Sequence, residues 1–445
     1  MSQHTPMRRV ALASCAGTTI EFYDFFIYGT AAALVFPTVF FPALGDNAAS
    51  VASFATFAVA FGARPLGAIL FGHFGDRLGR KRTLISTLLL MGVATVLIGL
   101  LPGAATIGVA APIALVALRF AQGLAVGGEW AGATLLAAEY APAHKRGLYG
   151  VFPQTGPALA FALSSATFLG VNLFVGEASP AFLDWGWRVP FLLSALLVGV
   201  GLYVRLAVEE TPMFQADRTR SDRSQEKSPL LGAITSQPRE ILVAAGALAM
   251  LFAFFYTGTA YLTAYGAKDL GLERATVLTV GLLAAVVFGA AIVVSGIYSD
   301  RVGRKRVLLA ASAVSIPWSL VLFPLLDTGS TAAFALGLFG TLAIFGIAYG
   351  PAGALLPEMF ATRYRYTGAG MAYNLAGVIG GGTAPILATK LTASEGSGAV
   401  GLMLAGFGLL SLVCSLALPE TRHRAMEPGD IEPGHVERQA EPLTV

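Results

Sequence analysis

Long apolar stretches and short polar segments alternate along the whole chain. A helix needs roughly 20 apolar residues to cross the hydrocarbon core of a bilayer. On that scale the pattern predicts twelve membrane spans, at 10–40, 50–75, 83–101, 107–139, 148–175, 188–208, 239–265, 275–299, 306–326, 332–358, 367–393 and 398–418. The predicted fold class is therefore an all-α integral membrane protein with twelve transmembrane helices.

The longest polar interval between two spans lies at the middle of the chain. It covers 209–238 and predicts a cytoplasmic linker between an N-terminal six-helix half, 1–208, and a C-terminal six-helix half, 239–418. The tail, 419–445, is rich in Pro, Glu and Gly, and this composition favours disorder. The chain is therefore expected to form two units with equal numbers of spans.

A basic loop punctuated by glycine occurs once in each predicted half. The first copy runs from Gly72 to Arg82 and the second from Gly296 to Arg306, about half a chain length apart. Such a loop cannot stay in hydrocarbon, so each copy is expected at a membrane surface. A repeat with this period predicts that the two halves are structurally similar.

Composition and charge agree with a membrane protein. Hydrophobic residues make up 55% of the chain and charged residues 12%, whereas a soluble domain carries about 25% charged residues. Most of the 29 Lys and Arg residues fall on the linker side of the spans. This predicts cytoplasmic termini in a multi-pass protein of the cell (cytoplasmic) membrane. Topology explains the basic residues, so no nucleic-acid partner is expected.

The doubled loop resembles the signature loop of the major facilitator superfamily, Gly-x-x-x-Asp-Arg-x-Gly-Arg-Lys/Arg. The matching positions are Gly72, Asp76, Arg77, Gly79, Arg80 and Lys81 in the first copy, and Gly296, Asp300, Arg301, Gly303, Arg304 and Lys305 in the second. The segment 119–123, Arg-Phe-Ala-Gln-Gly, resembles the second motif of that superfamily. The resemblance implies two pseudo-symmetric six-helix halves around a central cavity that opens to each side in turn.

Further stretches resemble the metabolite:proton symporter family within that superfamily. They are 21–28, 64–67, 127–130, 187–191, 210–214 and 365–368. This resemblance implies a mostly proton-coupled carrier of a solute such as shikimate, 2-oxoglutarate, citrate, proline or betaine. The first half is most similar to shikimate-type carriers. The chain departs from the family in span seven, which lacks the Arg or Glu pair often present there, and at Tyr373-Asn374, where Tyr-Gln is common.

Two carboxylates lie in the first predicted span. Glu21 and Asp24 are spaced i, i+3 and therefore share one helical face, which Tyr28 continues. Close carboxylates repel and burial disfavours the charged form, so at least one should hold a proton near neutral pH. We therefore expect proton coupling at Asp24 and Glu21. The alternative is that both pair permanently with arginines as structural ion pairs.

Two arginines also lie inside predicted spans. Arg64 can bind a carboxylate through two parallel hydrogen bonds and is the first candidate for substrate binding; the alternative is an internal salt bridge to Asp24 or Glu21. Both can hold in one mechanism, because protonation of the internal carboxylate would free the arginine for the solute. Arg119 either binds substrate or ties spans one and four together. Glu129 is a further candidate for proton or substrate handling.

Polar side chains in later spans are candidates for lining the central cavity. They would donate hydrogen bonds to a solute, although amides and aromatic side chains also serve helix packing. The candidates are Gln154 in span five, and Tyr256, Tyr261, Tyr373 and Asn374 in the second half.

The doubled loop is expected to act as a gate. The positive-inside rule would explain its basic residues, but it would not explain the fixed Asp and Gly positions. Asp76 can accept hydrogen bonds from a neighbouring helix N-terminus, where an anion is favoured, and this contact would latch the halves in an outward-facing state. Glu358, at the end of span ten, is expected to play a similar part beside Arg363 and Arg365.

The sequence contains no P-loop and no His-Glu-x-x-His motif. We therefore expect no enzyme, no metal and no cofactor, with protons as the coupling ion. The predicted function is secondary active, proton-coupled symport (uptake) of a small organic acid, such as shikimate or a di- or tricarboxylate. The alternatives are a proline/betaine carrier, or a uniporter or antiporter of the superfamily. The expected partners are a small carboxylate-bearing solute, protons and the lipid bilayer, and the protein is expected to be a monomer.

Overall fold

The computed structural model describes residues 7–78, 80–127, 134–135, 137–138, 141–176, 179–207, 235–360, 365–422 and 424. The chain is almost entirely helical within these ranges. In chain order, the long helices are α1 Met7–Leu34, α2 Asp46–Leu78, α3 Arg80–Leu100, α4 Ala110–Val126, α5 Arg146–Val175, α6 Arg188–Ala207, α7 Pro238–Tyr256, α8 Arg274–Val302, α9 Arg304–Leu326, α10 Thr331–Met359, α11 Arg365–Ala376 and α12 Ser397–Ala417.

Eight helices in the described ranges are long and apolar enough to cross a membrane, and two shorter ones, Ile85–Leu100 and Ala110–Val126, are apolar as well. The prediction of an all-α membrane protein with twelve helices is confirmed. The predicted fourth span, 107–139, extends past the end of α4, and residues 128–133 lie outside the described ranges. The cytoplasmic placement of the termini stays a prediction.

The first predicted span, 10–40, is divided into two helices. α1 ends at Leu34, and a separate short helix, Phe36–Phe40, takes up the rest. The break falls at Val35, whose φ of −128° is not helical. Pro37 lies in the first turn of the short helix, where its missing N–H leaves no helical bond unmade. Other short helices in the described connections are Pro42–Leu44, Ala104–Ile107 and Ala143–Lys145.

Two helices of the second half are interrupted by π-helical turns. α7 continues through Thr257–Tyr261 into Leu262–Lys268, and α11 continues through Gly377–Gly382 into Ala384–Glu395. The turn in α7 packs against α1 and the turn in α11 packs against α2. Both interruptions therefore lie where the second half faces the first, and π turns are frequent at functional sites.

The helix contacts of the first half recur in the second half, shifted by six helices. In the first half α1 packs against α5, α2 against α4, and α3 against α6. In the second half α7 packs against α11, α8 against α10, and α9 against α12. The repeated loop in the sequence therefore corresponds to a repeated packing arrangement. The two halves meet where α5 packs against α8 and α10, and where α2 packs against α11.

Glycines allow α2 and α4 to cross with their backbones in contact. A Cβ atom added at Gly67 would lie 2.0 Å from the carbonyl oxygen of Leu124, and one added at Gly123 would lie 2.3 Å from that of Ala60. Only glycine fits at such positions, as is common where helices pack closely in lipid. This crossing matters for the site because it places the arginine of α2 beside the arginine of α4.

Replacing Gly67 should therefore destabilise the fold, and Gly62 in the same helix provides a matched control. A Cβ at Gly62 would have no neighbour within 4 Å. We expect Gly67→Ala to cost about 1–3 kcal/mol through overpacking, whereas Gly62→Ala should be neutral or slightly stabilising because alanine favours a helix. Thermal unfolding of the purified protein in detergent measures both. Equal melting temperatures for the two variants would contradict the close crossing.

Candidate transport site

The carboxylate of Asp24 lies at the centre of the first half. Asp24 is only 1% exposed. Its two oxygens accept hydrogen bonds from Thr95 Oγ1 of α3 at 2.8 Å and from Ser194 Oγ of α6 at 2.5 Å. No ion pair involves Asp24 within the described residues. A buried acidic group is thus held by two neutral hydroxyls instead of a fixed cation.

A chain of hydrogen bonds links Asp24 to Arg119. Thr95 Oγ1 accepts a hydrogen bond from Gln122 Nε2 at 2.7 Å, and Gln122 Oε1 accepts one from Arg119 Nη1 at 2.9 Å. Thr95 Oγ1 also lies 2.9 Å from the carbonyl oxygen of Met91. The single proton of the Thr95 hydroxyl therefore has two acceptors within reach, Asp24 and Met91.

Aromatic rings surround the guanidinium of Arg119, which is fully buried. Its Cζ atom lies 3.9 Å from the ring centroid of Tyr28, 4.4 Å from that of Phe25 and 5.0 Å from that of Phe57. Its Nε and Nη2 atoms have no hydrogen-bond partner in the described part of the chain. Ring faces stabilise a desolvated cation by about 2 kcal/mol, but they do not satisfy its N–H groups.

Arg64 lies beside the same cluster of rings. It is 3% exposed, and its Cζ atom lies 4.3 Å from the ring centroid of Phe61 and 4.5 Å from that of Phe25. Phe25 thus contacts both guanidinium groups, so two buried positive charges share one neighbourhood. Glu21 is also buried, one helical turn before Asp24. Glu129 lies outside the described residues.

The structure brings most of the predicted cavity-lining residues to the contact between the halves. The ring of Tyr256 lies 5.1 Å from that of Phe61, and the Tyr373 ring lies 4.8 Å from that of Phe252. The hydroxyl of Tyr28 donates a hydrogen bond to Thr56 Oγ1 at 2.6 Å. Tyr28 therefore offers its ring to Arg119 while its hydroxyl is already bonded.

Two predicted amides bond to backbone across the interface. Gln154 Nε2 of α5 donates to the carbonyl oxygen of Tyr349 at 2.9 Å, and Asn374 Nδ2 of α11 donates to that of Gly127 at 3.0 Å. Each bond joins one half to the other. These amides therefore hold the halves together in this conformation, which is a different use from the predicted contact with solute.

Tyr261 is not brought to the site. Its ring stacks on Tyr265 and packs near Phe323, and its hydroxyl lies 2.5 Å from Thr392 Oγ1. All these partners belong to the second half. The expectation that Tyr261 lines the central cavity finds no support in this packing.

Between the halves lies a space that is too small to admit a water molecule in this conformation. Its lining is mostly aromatic, with side chains from α1, α7, α10 and α11. The lining residues are Phe22, Leu251, Phe252, Phe255, Phe345, Tyr349 and Tyr373. The rings meet closely, with centroids of Phe255 and Phe345 only 4.5 Å apart, so the cavity is narrow in this conformation.

At the end of the bundle that carries the doubled loop, Asp300 joins the two halves. Its carboxylate accepts hydrogen bonds from the backbone N–H groups of Gly147 and Leu148, at 2.8 and 2.9 Å, in the first turn of α5. An anion is favoured at a helix N-terminus. Arg304 holds the same carboxylate at 2.9 Å. The loop glycine Gly303 has a φ of +103°, which favours glycine at this position.

The equivalent side chains of the first loop copy are not part of the described structure. The structure does not describe Gly79, the surroundings of Gly72, or the side chains of Asp76, Arg77 and Arg80. The contact that the sequence suggested for Asp76 is made by Asp300 in the second copy. Arg301 is exposed beside it.

Glu358 forms a second junction at the same end. It is buried at the end of α10, 3.3 Å from Arg304 Nη2 and 3.8 Å from Arg146 Nη1. Thr421 donates a hydrogen bond to its other oxygen at 2.7 Å, and Glu420 accepts one from the backbone N–H of Arg304 at 2.9 Å. The folded unit thus extends past residue 418, into the segment that composition assigned to a disordered tail.

The opposite end of the bundle also carries contacts between the halves. Arg274 Nη1 donates to Asn172 Oδ1 at 2.8 Å, and Lys268 Nζ donates to Ser50 Oγ at 3.0 Å. The halves therefore touch at both ends in this conformation, with the aromatic cavity between them.

Two repeated six-helix units that meet at an aromatic cluster, with buried charges inside the spans, define a membrane transport protein. Comparison with known proteins agrees: the family model for "Sugar (and other) transporter" matches residues 10–232 and 228–430. The chain belongs to this family of transporters. It is accordingly a multi-pass protein of the cell (cytoplasmic) membrane, and it is not an enzyme.

Similar proteins share this architecture along nearly their whole length. The inner membrane metabolite transport protein YhjE of Escherichia coli is 45% identical over 95% of this chain and 97% of its own. The Escherichia coli shikimate transporter is 38% identical over 86% of this chain and 87% of its own. The Escherichia coli proline/betaine transporter is 31% identical over 95% of this chain and 85% of its own.

Among solved structures, the proton:xylose symporter XylE of the major facilitator superfamily is similar in fold. Its TM-score is 0.72 at 20% identity, covering 94% of this chain and 97% of XylE. This likeness supports the major facilitator fold that the doubled loop indicated. The recognition of that superfamily from the sequence is confirmed.

Sequence reasoning missed Thr95, Gln122 and Ser194. Gln122 carried a signal, because it lies three residues after Arg119 and so shares its helical face. Thr95 and Ser194 gave no signal in the sequence, because a single hydroxyl in an apolar helix usually bonds a backbone carbonyl of the same helix.

Replacing Glu358 should destabilise this conformation. Glu358→Gln removes the negative charge that faces Arg304 and Arg146, and breaking a buried ion pair from one side costs about 3–5 kcal/mol. Glu395, exposed at the end of its helix, supplies the control, because Glu395→Gln should change stability by less than about 0.5 kcal/mol. Thermal unfolding compares the two. A Glu358→Gln variant with the same melting temperature as the wild type would show that the junction contributes nothing to stability.

Proposed function

We propose that this transporter is a proton-coupled symporter that takes up a small organic acid by alternating access. The shikimate transporter among its relatives carries an organic acid, and the structurally similar XylE is a proton symporter. The observation that carries the proposal is the environment of Asp24: a buried carboxylate in the first span with two hydroxyl donors and no ion-pair partner among the described residues.

A charge in this position favours proton binding. A bare carboxylate inside a membrane protein costs about 2.5–3.5 kcal/mol on insertion scales. Hydroxyl donors reduce that cost without removing the charge, whereas a proton removes it. The same hydroxyls can bond either form, because each can accept as well as donate. Asp24 is therefore suited to be the group that alternates between the charged and the neutral form during a transport cycle.

The arginines supply the complementary site for the solute. Arg119 has two nitrogens, and Arg64 one, without a hydrogen-bond partner among the described residues. A guanidinium binds a carboxylate in a planar, two-pronged geometry. A carboxylate entering between the halves would accept hydrogen bonds from these N–H groups and offset one of the two positive charges. Arg64 and Arg119 are therefore the residues we assign to the anionic end of the solute.

In this mechanism Thr95 couples proton binding at Asp24 to solute binding at Arg119. When Asp24 is charged, the Thr95 hydroxyl donates to it. When a proton binds Asp24, the Asp24 hydroxyl donates to Thr95 Oγ1, and the Thr95 proton turns to the carbonyl oxygen of Met91, 2.9 Å away. Arg119 then loses the field of a nearby negative charge and attracts the solute carboxylate more strongly. Proton and carboxylate thus favour each other's binding.

The junctions at the two ends act as gates in this cycle. Asp300 and Glu358 join the halves at the doubled-loop end, and Arg274 and Lys268 join them at the other. Opening one side requires breaking one set of contacts while the other set persists. Asp300 bonds the start of α5 only while that side is closed, which makes this contact the latch of the outward-facing state.

Uptake into proteoliposomes tests the proposal. The panel contains shikimate, 2-oxoglutarate, citrate, benzoate and betaine, each with and without an inward proton gradient. We expect the wild type to accumulate an organic acid only with the gradient. Asp24→Asn should abolish accumulation while exchange of solute across the membrane remains, because the amide cannot carry a proton. Accumulation that persists in Asp24→Asn would contradict the role of Asp24, and accumulation of betaine alone would favour an osmolyte carrier.

Thr95 provides a second test of coupling. Thr95→Val keeps the side-chain shape but removes the hydroxyl, so gradient-driven accumulation should fall about tenfold, the effect of losing one hydrogen bond to a charged group. Thr95→Ser retains the hydroxyl and serves as the control. The pH profile of uptake should shift in Thr95→Val and stay in place in Thr95→Ser. Identical profiles in both variants would show that Thr95 only packs.

A further inference from the structure

A phenylalanine of the first half is held in a slot that glycines of the second half form. Resting on the proposed alternating-access symport, we infer that this contact governs the return step of the transport cycle, in which the carrier closes without a solute. Phe61 of α2 is the side chain that enters the slot, and the π turn Gly377–Gly382, which continues α11, forms the slot.

Three glycines of the π turn contact the side chain of Phe61, which is fully buried. A Cβ atom added at Gly381 would lie 2.7 Å from Cζ of the ring, closer than real Cβ atoms come to a neighbour. A Cβ atom at Gly377 would lie 3.2 Å from Cδ1 and Cε1, and one at Gly382 would lie 3.3 Å from Cβ of Phe61. The turn therefore accepts the ring because these three positions carry no side chain.

The slot moves as one piece with the second half. A Cβ atom at Gly380 would lie 2.2 Å from the carbonyl oxygen of Ala249, so the turn packs directly on the backbone of α7. The ring of Tyr256, also in α7, forms the other wall, with its centroid 5.1 Å from that of Phe61 in an edge-to-face arrangement. A Cβ atom at Gly381 would lie 2.9 Å from two carbons of the Tyr256 ring as well. A group larger than hydrogen at Gly381 therefore pushes against both rings.

The docked ring belongs to a conformation in which the halves close directly on each other. The halves touch at both ends, and the aromatic rings between them enclose no space that a water molecule could enter in the described part of the chain. Arg64, assigned to the solute, lies against the docked ring, with Cζ 4.3 Å from the Phe61 centroid. A solute carboxylate at Arg64 needs room that this packing lacks, so its binding must draw the halves apart around the ring.

The same packing compensates the charge of Arg64 when the halves close in this way. The guanidinium faces the rings of Phe61 and Phe25, and it acts on the Tyr256 hydroxyl across the interface. The buried carboxylate of Glu21 acts on that hydroxyl too. Ring faces and a hydroxyl offset part of the cost of a desolvated cation. Docking of Phe61 against Tyr256 brings these groups to Arg64 in one movement.

The position of the slot determines which end it closes. α2 packs against the π turn and, beyond it, against Ala384–Glu395, which leads to the end opposite the doubled loop. A ring that cannot enter the slot would hold the halves apart at that end.

Spin-label distances in the full-length protein in lipid nanodiscs, without added solute, test the docking. The labels replace Asn47 and Ser394, which are exposed at the end opposite the doubled loop, and Cys15 and Cys414 are changed to alanine. Gly381→Ala should lower the population with the short distance at least about tenfold, the change that an overpacking cost of about 1.4 kcal/mol produces.

Two further variants show whether the effect comes from the slot. Gly406→Ala in α12 is the matched control, because a Cβ atom there would meet nothing within 4 Å, and it should leave the distances unchanged. In the Phe61→Leu background the added methyl group has room, so Gly381→Ala should change the distances much less than it does in the wild type. Equal effects of Gly381→Ala in both backgrounds would overturn the docking of Phe61.

Transport measurements separate the return step from the step that carries solute. Net uptake requires the carrier to return without solute, whereas exchange of labelled for unlabelled solute uses the loaded form alone. With radiolabelled shikimate and 2-oxoglutarate as probes, Gly381→Ala should reduce gradient-driven net uptake at least about tenfold and leave exchange near the wild-type rate. Retained exchange also shows that the variant is folded.

The outcomes distinguish this inference from the proposed symport. Wild-type distances in Gly381→Ala, or equal losses of net uptake and exchange, would overturn the role of the slot. Net uptake that needs no proton gradient but is lost in Gly381→Ala would overturn symport and support the slot. If the wild type transports neither acid while Gly381→Ala still depletes the short distance, the proposed solute class falls and the docking of Phe61 stands.

Discussion

Charge inside a membrane must be compensated, and the way in which this protein compensates Asp24 governs the rest of its site. Hydroxyls from α3 and α6 hold the carboxylate, and Gln122 connects the α3 hydroxyl, that of Thr95, to Arg119. A permanent ion pair would fix the charge state. In the proposed mechanism the hydroxyls leave Asp24 able to bind and release a proton without a large rearrangement of its neighbours.

The fold serves this site through close helix packing and through the repeat. The glycine crossing of α2 and α4 brings Arg64 and Arg119 to the same aromatic cluster. The contacts between α5 and α8, and between α2 and α11, close the space between the halves. The same packing recurs in each half, and in the proposed mechanism rocking of one half against the other breaks the contacts at one end while those at the other are kept.

Much of this arrangement could be predicted from the sequence, and the remainder shows where such reasoning stops. The doubled loop predicted two similar halves, and the symmetric helix contacts bear this out. The buried charges Asp24, Arg64 and Arg119 were found because a charge in an apolar run is conspicuous. Thr95 and Ser194 were missed because Thr and Ser hydroxyls can bond their own helix, as Thr18 does. The contacts that Tyr261 makes within its own half could not be foreseen, because the direction of a side chain in this part of the chain depends on the π turn.

The central claim is that Asp24 takes up a proton when the solute carboxylate binds. Infrared difference spectroscopy on the reconstituted protein measures this directly, with carbon-13-labelled acid so that the solute's own bands are displaced. The account predicts that a carboxylic acid carbonyl band appears when the acid is added, and that this band is missing in Asp24→Asn. A wild-type spectrum without such a band, or an unchanged band in Asp24→Asn, would contradict it.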